Sequence, residues 1–77
     1  MAENVLSRIS DLQIFFNKKY DSKNKTIDAK SAEYIMRNVF QLIEEMKDAK
    51  GSRFYKIIAK RQLQSIGLKT ELATKTY

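Results

Sequence analysis

Apolar residues recur along this chain at alternating spacings of three and four, the period of a helix that buries one face. Val5, Ile9, Leu12, Phe16 and Tyr20 form the first row. At about 100° per residue they fall within about 80° of one another, a single stripe. Asn4 stands where an N-cap belongs, and the polar run from Asp21 to Thr26 ends the pattern. The second row is Ala32, Ile35, Val39, Leu42, Met46 and Ala49, widened by Met36, Phe40 and Ile43. Asp28 can cap its start, and Gly51 can supply a left-handed residue just past its end. The third row follows the capping residue Ser52: Tyr55, Ile58, Ala59, Leu63 and Ile66, with Gln62 among them. Gly67 reads as its stop.

These rows predict an all-α fold, a small three-helix bundle with helices at about 4–20, 29–49 and 53–66. The helical domain is then 1–67, followed by a flexible, polar C-terminal tail at 68–77. The short turn Lys50-Gly51-Ser52 makes the second and third helices direct neighbours.

Size limits what such a bundle can do. A chain of 77 residues buries only about 60–65% of its unfolded surface, so the core is thin. Small domains often add disulfides, a metal or a second subunit. With no cysteine and no histidine, disulfides are impossible and structural zinc lacks its usual ligands; self-association is the remaining common support. No metal or other cofactor is expected. No apolar run approaches the ~18–20 residues of a membrane span. The N-terminus lacks a basic and apolar leader pattern, which points to a cytoplasmic protein. The small size and Lys/Asn/Ile-rich usage suit a phage or bacterial accessory protein.

Charge is the most pointed signal. Lys50, Arg53, Lys56, Lys60, Arg61 and Lys69 lie in a stretch from Ala49 to Thr70 that contains no acid, within a chain of net charge +6. On a helical wheel with Phe54 at zero, Lys56, Lys60, Arg53 and Gln64 span about 200–280° and Arg61 sits near 340°, opposite an apolar group centred near 110°. Lys50, Arg53, Lys56, Lys60, Arg61 and Gln64 are therefore the candidate nucleic-acid-binding residues, acting mainly on phosphates. The lysines at 18, 19, 23 and 25 add a second patch if the first loop folds nearby. A solvated lysine-rich face is the competing account, though stable surface helices commonly interleave both signs. A standard helix-turn-helix is excluded, because Lys47 and Lys60 fall where that motif packs small or apolar side chains.

A different surface is suggested by apolar residues off the stripes. Ile14 and Phe15 leave the first row, while Phe54 and Ile57 border or interrupt the basic face. If the fold gathers them, they mark a protein-interaction site for a larger partner or a homodimer. That gives the alternative reading: a small regulator, inhibitor or immunity-type factor. Catalysis finds no footing. Histidine and thiol groups are absent, no Gly-rich phosphate loop is present, and no small-molecule substrate is expected.

Overall fold

A computed structural model of the chain describes residues 5–48 and 53–75. Among them are three α-helices: α1 (Val5–Lys19), α2 (Ala29–Asp48) and α3 (Arg53–Lys75). The molecule is thus an all-α three-helix bundle. The expected caps Asn4, Gly51 and Ser52, together with Ala49 and Lys50, lie outside the described residues.

The α1–α2 connection is held by its own bonds. Asp21 and Thr26 exchange two backbone hydrogen bonds of 2.8 and 3.2 Å. The Asp21 carboxylate accepts from the amides of Lys23 (3.0 Å) and Asn24 (3.2 Å) and from the Asn24 side chain (2.8 Å). Lys25 turns the chain with a left-handed φ of 58°. Asp28 then caps α2 as its residue type predicts: Oδ2 accepts from the Ser31 amide at 3.0 Å, while its carbonyl accepts from Ala32 at 2.9 Å.

Side-chain pairings fix the directions. Arg8 bonds Glu45 at 2.6 Å, and Phe15 meets Tyr34 at 4.8 Å between ring centroids, so α1 and α2 run antiparallel. Met46 shares a groove with Arg53 and Met36 another with Gly67, so α2 and α3 are also antiparallel. The core between them is Ile9, Leu12 and Phe16 from α1, Ile35, Val39, Leu42 and Met46 from α2, and Ala59, Leu63 and Ile66 from α3, with Ile27 closing the loop end.

Two expectations fail on α3. The helix does not stop at Ile66; it runs through Gly67 to Lys75, so 68–75 is helix rather than tail, while 76–77 lie outside the described residues. Among the described residues no glycine adopts positive φ, so Gly67 is an ordinary helical residue. Its missing side chain faces α2: a Cβ there would stand 3.8 Å from Met36 and Val39 atoms. Beyond it Thr70 and Ala73 are buried. Thr70 Oγ1 donates to the Ile66 carbonyl at 2.8 Å, which satisfies the hydroxyl inside the core. The second failure is Ile58, which is exposed. Buried Ala59, Leu63, Ile66, Thr70 and Ala73 centre the inner face near 140° on the wheel, about 30° from where Tyr55 and Ile58 pull it. Among the described residues no helix is long and apolar enough to cross a membrane.

Candidate nucleic-acid interface

The start of α3 and the end of α2 enclose a shallow groove of about 400 Å³. Ile43, Met46 and Ile57 form its floor, and Lys47, Arg53, Lys56 and Lys60 surround it. The antiparallel α2–α3 hairpin produces this grouping, because it sets the last turn of one helix beside the first turns of the other. Lys56 is half-buried, while Arg53 and Lys60 are exposed. Lys47 Nζ bonds Glu44 at 2.9 Å, which offsets part of its charge. Among the described residues, Arg53, Lys56, Lys60 and Arg61 make no ion pair.

Arg8 and Arg37, by contrast, have acidic partners. Arg8 sits against Glu45, and Arg37 against Glu33 at 3.9 Å. The Arg8 hydrogen bond is the main cause holding the Glu45 carboxyl below its usual range, with Gln41 adding a weaker bond. Among the described residues no acid pairs with Arg53, Lys56 or Lys60, so their potential extends into solvent.

The expected site residues divide as follows. Arg53, Lys56 and Lys60 come together at the groove. Arg61 is exposed but turned about 100° further round α3, away from α2. Gln64 lies one step along, in the next stretch of the α2–α3 groove beside Phe40 and Leu68. Lys50 lies outside the described residues. The loop lysines do not join this cluster. Lys25 lines a groove with Lys69 and Leu72 near the other end of α3, and sixteen residues of helix separate Lys69 from Arg53, about 24 Å.

The apolar candidates are not gathered into one patch. Phe15 is half-buried and packs on Tyr34 in the α1–α2 groove, with Lys19 Nζ 5.8 Å from its ring centroid. Ile57 belongs to the α2–α3 groove, while Ile14 and Phe54 stand exposed elsewhere. Sequence periodicity missed the α2 contribution from Lys47, Ile43 and Met46; the signal available was that Ile43 and Met46 share the edge of α2 nearest its end. It also misses exposed Leu68 and Leu72, because Gly67 reads as the end of the helix. No group of three or more metal-ligating side chains converges among the described residues. Comparison with protein-family models, curated proteins and solved structures finds no match.

Proposed function

We propose that this chain is a non-enzymatic, cytoplasmic nucleic-acid-binding protein that grips phosphates with the first half of α3. The observation that carries the reading is the convergence of Arg53, Lys56 and Lys60, none ion-paired among the described residues, on the groove they share with Lys47. Gln64 extends the contact along α3, whereas Arg61 points about 100° away from it. The bonds are to the backbone, so affinity depends on salt more than on sequence. Four neutralised phosphates give a log–log slope near −3.6, or about 150-fold weaker binding between ~50 and ~200 mM salt.

Fluorescence anisotropy with labelled duplex and single-stranded DNA and RNA measures this directly. Lys56→Glu with Lys60→Glu is expected to abolish binding while leaving helicity unchanged, since Lys60 is exposed and Lys56 only half-buried. Binding that survives the double substitution sinks the reading. Silence of the wild-type chain at low salt also sinks it, and leaves the exposed apolar side chains as the working surface of a protein-interaction module.

A further inference from the structure

The outward face of α3, opposite the core, carries a second pattern. Phe54, Ile58, Arg61, Ser65, Leu68 and Leu72 follow one another at spacings of four, three, four, three and four. They fall between about 320° and 40° on the wheel, a narrow stripe of the coiled-coil kind. All four apolar members are exposed: Phe54 at 78%, Ile58 at 48%, Leu68 and Leu72 at 58% each. The row reads the same from either end, with two apolar residues, two polar, two apolar.

We infer that a second copy of this chain packs antiparallel on this face, α3 against α3, about a two-fold axis level with Leu63. In that register Phe54 meets Leu72 of the second copy, Ile58 meets its Leu68, and Arg61 meets its Ser65. Each apolar side chain then finds an apolar one, and each polar side chain a polar one, as an isologous contact demands. A parallel pair would set Arg61 against Arg61 and repel.

Charge agrees with the antiparallel choice. Glu71 is the one acid in α3, and it lies eighteen residues from Arg53 on the same flank, both near 260°. Antiparallel packing brings like flanks together, so each Glu71 faces an Arg53 across the seam, and each Lys60 faces a Gln64. Two favourable charge pairs form, and the register is fixed at both ends. The same two-fold axis puts the Lys56 and Lys60 flanks of both copies on one side of the dimer.

The strip is one helix wide and about 27 Å long, less than a standard stable interface. The association is therefore of the weak, transient class, with dissociation expected on the order of 10–100 µM. Sedimentation equilibrium of the full chain without nucleic acid, across that range, is expected to show the mass rising from one chain toward two. Leu68→Asp should weaken the dimer at least tenfold with helicity unchanged. Should that substitution disturb folding, Glu71→Arg provides a gentler break, and adding Arg53→Glu to it should restore association. The native chain has no cysteine, so Phe54→Cys mixed with Leu72→Cys should be joined by a short bis-maleimide, whereas Phe54→Cys alone should not join to itself, the two copies of residue 54 lying about 27 Å apart. A chain that stays monomeric throughout, a dimer indifferent to these changes, or the reverse cross-linking pattern would overturn the inference.

Discussion

Gly67→Ala separates two structures by sign. In the observed fold Gly67 is buried mid-helix, and a Cβ would stand 3.8 Å from Met36 Sδ, Met36 Cε and Val39 Cγ1, ordinary contact distances. No neighbour has to move. Alanine is better than glycine in a helix interior by about 0.8–1.0 kcal/mol, and a buried methyl adds up to about 0.8 kcal/mol. The expected gain is about 1–2 kcal/mol, large for a domain whose whole stability should be about 4–12 kcal/mol at this length. For this size it raises Tm by roughly 5–15 °C. In urea, with m near ~1 kcal/mol per molar, the midpoint should move up by about 1–2 M. The assay is circular dichroism at the helical band against urea and temperature. Had Gly67 ended the helix in a left-handed conformation, alanine would instead cost about 1 kcal/mol or more. Destabilisation, or no change, refutes the continuous helix and the close approach of α3 to α2 at this level.

Thr70 tests the same segment from the other side: Thr70→Asp puts a charge at a fully buried site and should cost about 3 kcal/mol or more, whereas Thr70→Val should stay within about 1 kcal/mol. Thermal melts that tolerate Thr70→Asp would contradict the packing. Acid should weaken the fold. The carboxyl of Asp28 is held below its ordinary value of 3.8 chiefly by the Ser31 bonds, Asp21 below 3.8 by Asn24, and Glu45 below 4.5 by Arg8. A lowered folded pKa means that the native state holds these protons less readily. The stabilisation is complete above the ordinary values and lost as pH falls through the lowered ones. Urea midpoints should thus be level near neutral pH and drop below about pH 4; midpoints unchanged down to pH 2 would refute these bonds.

Most of the bundle can be read from periodicity. The rows of α1 and α2 locate both helices to within a residue and name their buried faces, from Ile9, Leu12 and Phe16 to Ile35, Val39, Leu42 and Met46. Large aliphatic residues at regular spacing make that possible. On α3 the inner row is instead Ala59, Leu63, Ile66, Thr70 and Ala73, small or polar at three of five places, while larger Phe54, Ile58, Leu68 and Leu72 face outward. Residue size therefore points to the wrong side, and Gly67 resembles a terminator when its role is to let α2 come close. The basic candidates along α3 were legible as a run of one sign. Their grouping around a groove was not, because Lys47, Ile43 and Met46 reach it only through the antiparallel pairing of α2 with α3.

The loop between α1 and α2 has a consequence for the order in which the chain assembles. Every bond that closes it joins residues no more than five apart, from Asp21 to Thr26. Such contacts form with little loss of chain entropy and on a fast timescale. The α1–α2 hairpin can thus be in place early, with Asp28 starting the second helix as soon as the turn closes. In the folded chain Leu12, Phe16, Ile35 and Val39 share one core with α3. The helix that carries both the basic groove and the outward apolar row packs most extensively on α2, so both surfaces take shape only where α3 lies against the helix that Asp28 starts.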